Sequence, residues 1–112
     1  GPPSPHMAPS DPDHPIPKAE ALLVAGYAAL DRGDPAAALQ PLTAFWKAWL
    51  ADPNLQYTYN EQPCMVGLAY GLAGRMADAE AVFNNTSKHF QTVTPVGEQP
   101  ARYIVEMAAA IA

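Results

Sequence analysis

The residues whose side chains could perform chemistry are few and lie far apart in the sequence. Cys64 and His89 could in principle form a nucleophile–base pair, because a thiol needs a neighbouring base to become a reactive thiolate. Nothing in the sequence orients one toward the other, so we expect Cys64 to be a buried thiol near the start of a helix. Asp11, Asp13 and His14 carry metal-binding atoms, but a proline-rich segment gives them no fixed geometry. We therefore expect no catalytic site, no cofactor and no metal ion.

The composition argues against several other functions. The chain of 112 residues is the size of one small domain, and 15% charged residues are too few for a coiled coil. Its single cysteine excludes an internal disulfide and a cysteine-based zinc site. Six basic residues against eleven acidic ones give a net charge of −5, which argues against nucleic acid and anionic lipid as partners. The sequence also lacks an apolar run of about 18 residues or more that could span a membrane.

Residues 1–17 are predicted to be a disordered lead-in, outside a helical domain formed by residues 18–112. This segment holds seven of the 13 prolines, and it cannot bury enough apolar surface to offset its ordering entropy. Residues 1–6 look like the remnant of an expression tag. The compartment therefore stays open: cytoplasmic, or periplasmic or secreted if a signal peptide was removed.

Apolar residues at three- and four-residue spacing predict five helices in the remaining chain. Asp34-Pro35 is typical of a helix start, Gly33 is typical of a helix end, and Asp52-Pro53 is expected to stop the second helix. Pro41 is expected to bend or shorten that helix. Residues 55–60 alternate apolar and polar side chains, and we predict an extended loop there. The predicted helices are residues 18–32, 35–51, 61–73, 76–90 and 98–112.

Two parts of the chain match each other when residue 21 is aligned with residue 62. Five identities fall within the 23 positions compared, residues 21–43 against residues 62–84. Each part has a small residue inside its first helix, a glycine that ends that helix and an alanine on the second helix. Small residues at these points allow two antiparallel helices to approach closely. The matched pairs are Gly26 with Gly67, Ala28 with Ala69, Gly33 with Gly74, Ala36 with Ala77 and Ala38 with Ala79.

This pattern resembles the tetratricopeptide repeat. The second unit carries the residues expected at the family's small, aromatic and alanine positions: Gly67, Tyr70, Gly74, Ala79 and Phe83. The first unit carries Gly26, Ala29, Gly33, Ala38 and Leu42, and it departs from the pattern at Ala29. The resemblance implies an all-α fold of two antiparallel helical hairpins in a right-handed superhelical stack, with residues 98–112 as a C-terminal capping helix.

The resemblance also implies a concave groove lined by the first helix of each hairpin. Its mapped positions contain neither lysine nor asparagine, so we expect no clamp for a carboxylate. An apolar or basic peptide, or a helix laid in the groove, fits these side chains better. The alternative interpretation is that Leu23, Leu68 and Leu72 belong to the core. The mapped positions are Glu20, Leu23, Tyr27, Asp31, Glu61, Cys64, Leu68 and Leu72.

The aromatic residues outside this pattern allow two interpretations. Trp46 and Trp49 are expected in the core, with one of them partly exposed. Tyr57 and Tyr59 are predicted to face the same side, where they would either contact a ligand or cover a gap between helices. The sequence thus predicts a non-enzymatic protein–protein interaction module. The alternative is a structural subunit that forms a homodimer through its C-terminal helix and an exposed tryptophan.

Overall fold

The computed structural model describes Asp11 and residues 13–93, and this part of the chain is helical with no β-strand. The prediction of an all-α protein is confirmed. The predicted helix 98–112 lies outside the described residues, as do residues 1–10 and 12 of the predicted lead-in. The helices are α1 Pro15–Asp31, α2 Pro35–Ala51, α3 Pro53–Thr58, α4 Pro63–Leu72 and α5 Met76–Val93.

Helix α1 begins earlier than predicted, inside the proline-rich segment. The His14 side chain caps it by accepting a hydrogen bond of 3.1 Å from the backbone N–H of Ile16. Pro15 and Pro17 fit the first turn, because the N–H groups there have no partner within the helix. Ile16 packs against the core, so α1 includes three residues, 15–17, that the sequence assigns to the lead-in.

The turn between α1 and α2 is built like the turn between α4 and α5. Gly33 and Gly74, which correspond in the internal alignment, have φ angles of +78° and +80°. Glycine is the residue that adopts such angles without steric cost. The backbone hydrogen bonds also correspond, and they run from Gly33 to Leu30, from Gly74 to Gly71, from Asp34 to Ala29 and from Arg75 to Tyr70.

The two helices of each pair touch at a glycine. A Cβ atom placed on Gly67 would lie 2.5 Å from Cζ of Phe83, and one placed on Gly26 would collide with the Leu42 side chain. Ala38 and Ala79, at the corresponding places on α2 and α5, are completely buried. The predicted close approach at these small residues is therefore present in both pairs.

Helix α2 continues through Pro41 without interruption. Proline removes one backbone hydrogen bond from a helix interior. In the next turn the Thr43 hydroxyl donates to the carbonyl oxygen of Leu39 at 2.6 Å. The expected shortening of this helix does not occur, and its bounds agree with the predicted ones.

Helix α3 includes residues 55–58 of the segment 55–60, for which an extended loop is predicted. Asp52 caps it by accepting from the backbone N–H of Asn54 at 2.9 Å, and Pro53 occupies its first position. Leu55 is buried in the core. The alternating pattern is misleading because one turn of helix also places Leu55 and Tyr59 on one side.

Helix α2 is central in the packing. It lies against α1, α3 and α4, and α4 in turn packs against α5. No helix among the described residues is long and apolar enough to cross a membrane. The largest buried side chains are Trp49, Phe45, Phe83, Leu42, Leu55 and Val66.

Candidate partner-binding surface

Six of the predicted groove positions lie on corresponding sides of α1 and α4, and we call them the groove face. Its three carboxylates are exposed, and Leu72 has an exposed fraction of 38%. Tyr27 and Leu68 are half-buried. The face thus combines negative charge with partly accessible apolar surface. Its members are Glu20, Tyr27 and Asp31 on α1, with Glu61 just before α4 and Leu68 and Leu72 on it.

Two of the predicted groove residues are core residues. Leu23 is 4% exposed and packs in the main cluster, and Cys64 is 1% exposed in a smaller cluster with Ala79 and Phe83. Leu23 therefore offers almost no surface to a partner. Leu23 and Cys64 correspond in the internal alignment and both point inward, so the alternative interpretation holds for Leu23 and fails for Leu72.

The two halves of the groove face do not form one continuous wall. Helix α1 packs against α2 and α3, whereas α4 packs against α2 and α5, and α1 and α4 share no extensive contact. The residues that lengthen the first unit include α3, which lies against α1. The chain thus occupies part of the space beside α1 with its own helix.

Tyr59 and Tyr57 point in different directions, contrary to prediction. The Tyr59 ring meets the Phe45 ring edge-on with 5.8 Å between centroids, and its hydroxyl lies 3.5 Å from the carbonyl oxygen of Ile16. Its backbone carbonyl accepts a 2.6 Å hydrogen bond from Nε1 of Trp49. Tyr57 is 90% exposed. Tyr59 therefore holds α3 to the core, and Tyr57 is available to a partner.

Three side chains beside α3 interact electrostatically. Burial raises the pKa of Tyr27, and the nearby Tyr59 phenol raises it further. Burial likewise raises the pKa of Tyr59, with a smaller contribution from the Glu20 carboxylate. Both phenols are thus neutral at physiological pH, where they can donate or accept hydrogen bonds but cannot act as bases.

The described surroundings of Cys64 do not activate its thiol. Burial, followed by the Glu61 carboxylate, raises the pKa of its thiol to about 11. A thiol of that pKa is almost entirely protonated at neutral pH and is a poor nucleophile. The His89 side chain, its suggested partner, lies outside the described residues. Within the described part, no three His, Cys, Asp or Glu side chains are grouped to hold a metal ion.

The tryptophans have the predicted difference in exposure. Trp49 is buried and Trp46 is half-buried, and their rings stack with 5.5 Å between centroids and an interplanar angle of 15°. The stack uses one face of Trp46. Less of this indole is therefore open to a partner than its position on the helix suggests.

An exposed apolar strip on α1 was not predicted from the sequence, and we call it the α1 outer strip. It consists of Ala21, Val24, Ala25 and Ala28, all exposed, with Val24 at 61%. The spacing i, i+3, i+4, i+7 places these residues on one side of the helix. The same spacing is visible in the sequence, but the family's groove positions fall on the neighbouring side.

Comparison with known proteins gives no relative for this chain. No protein-family model matches it, no curated protein matches it, and no solved structure matches its fold.

Proposed function

We propose that this protein is a non-enzymatic protein–protein interaction module built from two tetratricopeptide-like hairpins, α1–α2 and α4–α5, with residues 98–112 as a capping helix. The support is the correspondence between the two units of the internal alignment. Both turns have a glycine at φ near +80° with matching hydrogen bonds, and both helix pairs touch at a glycine. Matching units that stack side by side present extended surfaces suited to binding other chains.

The ligand we propose is an apolar or basic peptide or helix. The observation that carries this is the composition of the groove face, whose halves on α1 and α4 each place exposed carboxylate beside partly accessible apolar or aromatic side chains. A cationic side chain would pair with the carboxylates, and apolar side chains would cover Leu68 and Leu72. The half-buried Tyr59 lies close to Glu20 and Tyr27 of this surface, and the exposed Tyr57 on α3 is a further candidate contact.

A homodimer formed through residues 98–112 and a tryptophan is the alternative proposal. Its tryptophan would be Trp46, because Trp49 is buried. Trp46 is already stacked on Trp49, so only part of its indole is available to such a dimer.

The test uses an amphipathic helical peptide with leucine on one side and lysine on the other. A second peptide has glutamate in place of lysine. We expect the basic peptide to bind and its affinity to fall with added salt, because charge pairs are screened. Glu20→Lys with Glu61→Lys should weaken binding about tenfold, since charge complementarity is reversed. The control is Glu80→Lys, an exposed position on α5, which should bind like the native protein. Equal binding of the two peptides, or unchanged binding by the groove variant, contradicts the proposal.

A further inference from the structure

The first helix of each pair, α1 or α4, has corresponding positions on the side that faces away from its own partner helix. These positions are buried on α4 and exposed on α1. On α4, Val66 and Ala69 have no exposed surface and lie in the same core cluster as Leu42 and Phe45 of α2. Their counterparts on α1 in the internal alignment are Ala25 and Ala28, and both are exposed.

The difference follows from the order of the helices. Helix α2 precedes α4 and packs against it, whereas α2 and α3, which pack against α1, leave the corresponding positions of α1 exposed. Met65, beside Val66, is half-buried, whereas its counterpart Val24 is 61% exposed. The α1 outer strip therefore corresponds in position to the side of α4 that is buried in the core.

We propose that the α1 outer strip is a docking site for an amphipathic helix of a partner protein. This partner helix presents large apolar side chains to the strip and basic side chains along one edge. The inference goes beyond the proposed groove, because its apolar contacts lie on a different side of α1. The two surfaces share only the carboxylates of Glu20 and Asp31, which lie between them.

The size of the partner side chains follows from the small side chains of the strip. Alanine at three of its four positions gives a shallow surface, and a facing helix fills it only with large residues. Helix α2, which packs against α4, contributes large side chains to the core cluster that contains Val66 and Ala69, among them Leu42, Phe45 and Trp49.

The charge of the partner follows from the edge of the strip. Glu20 is one turn before Val24, and Asp31 is one turn after Ala28, so two exposed carboxylates border the same side. Their counterparts around α4 are Glu61 and the apolar Leu72. A helix with lysine or arginine on that edge pairs with the carboxylates, and the net charge of −5 attracts such a partner over a distance.

A second copy of this chain fits the strip less well. Its α2 is already covered by α1 and α4. Its α5, the counterpart of α2, has Glu80 where α2 has Leu39 and Thr86 where α2 has Phe45. A partner that retains large apolar residues at these places buries more apolar surface against the strip.

The probe is a peptide that copies residues 35–51 with Pro41→Ala to favour helix and with Gln40→Lys and Ala44→Lys to make one side basic. Titration into the isotope-labelled protein should shift the amide resonances of residues 21–28. Val24→Glu should weaken binding about tenfold, because it places a charge at the centre of the interface. Ala25→Glu is a second variant at an exposed position, and circular dichroism verifies that both stay helical.

Two controls separate this proposal from the groove. Ala81→Glu changes an exposed alanine on α5, and Leu72→Ser changes the groove face, and both should bind the probe like the native protein. Loss of binding in Leu72→Ser with none in Val24→Glu would overturn the strip as a docking site. A concentration-dependent dimer that Val24→Glu abolishes would assign the strip to a second copy and overturn the partner helix.

Discussion

At Gly67, the absence of a side chain allows α4 to pack closely against α5. A Cβ atom there would approach three atoms of the Phe83 ring to 2.5–2.8 Å, and this ring is 1% exposed. Alanine would gain about 1 kcal/mol of helix propensity, whereas overpacking a filled core costs about 1–3 kcal/mol. We expect Gly67→Ala to lower the free energy of unfolding, measured by urea denaturation. An unchanged or raised urea midpoint would show that α4 and α5 accommodate the methyl group at no cost in stability.

A double variant identifies the cause of this loss. Adding Phe83→Leu should make the cost of Gly67→Ala smaller, because the shorter side chain leaves space for the methyl group. Gly33→Ala is the matched control, since a Cβ there meets nothing within 4 Å but must adopt φ +78°. Its cost, about 1–2 kcal/mol, comes from the backbone and should be independent of residue 83.

Helix α3 depends on one of its two neighbouring tyrosines. Tyr59→Ala removes the ring that packs on Phe45, and we expect the free energy of unfolding to fall by about 2 kcal/mol. Tyr57→Ala should change it by no more than about 0.5 kcal/mol, since that ring is 90% exposed. Thermal or urea unfolding of the two variants provides the comparison. Equal losses would contradict the division of roles between the two residues.

The sequence contains the residues that start and stop the helices, although one such pair both stops a helix and starts the next. Asp34-Pro35 correctly predicts the start of α2, where the Asp34 carboxylate accepts from the N–H of Ala37. Asp52-Pro53 has the same form, and it both stops α2 and starts α3, of which only the stop was predicted. The histidine cap of α1 could not be predicted, because proline-rich segments are usually extended. A local cap and Ile16 packing outweigh that preference here.

At the scale of the whole molecule, stability should fall at alkaline pH. The pKa of Cys64 is raised from 9.0 to about 11 in the folded protein, so the folded state keeps its proton while the unfolded chain loses it. The stabilisation is complete below pH 9 and is lost as pH rises toward 11. We expect a loss on the order of 1–3 kcal/mol from this thiol. The raised pKa values of Tyr27 and Tyr59 act in the same direction at higher pH.

Urea denaturation at several pH values between 8 and about 11 measures this dependence, because each curve gives one free energy of unfolding. Cys64→Ala should reduce the fall in the free energy of unfolding with rising pH. The part of the fall that remains should come from Tyr27 and Tyr59. A stability that rises with pH in the native protein would show that the thiol is not desolvated.

The arrangement of the groove face was the least predictable feature at this scale. Periodicity placed Glu20, Asp31 and Glu61 correctly at the surface, because charged side chains seldom leave water. It could not show whether Leu23 points inward or Leu72 outward, since each is apolar and lies at groove spacing. That depends on which helices are neighbours, and the position of α3 beside α1 is a long-range property of the packing.

The stacked indoles of Trp46 and Trp49 also provide an intrinsic optical signal for the folded state. They are its two tryptophans, held nearly parallel, and the Trp49 N–H is bonded to the residue that follows α3. Indoles held in fixed tertiary packing give a near-ultraviolet circular dichroism signal, which is lost when that packing is lost. Detachment of α3 would move Trp49 into water and shift its fluorescence to longer wavelength. Local opening at this junction can therefore be followed without attaching any dye.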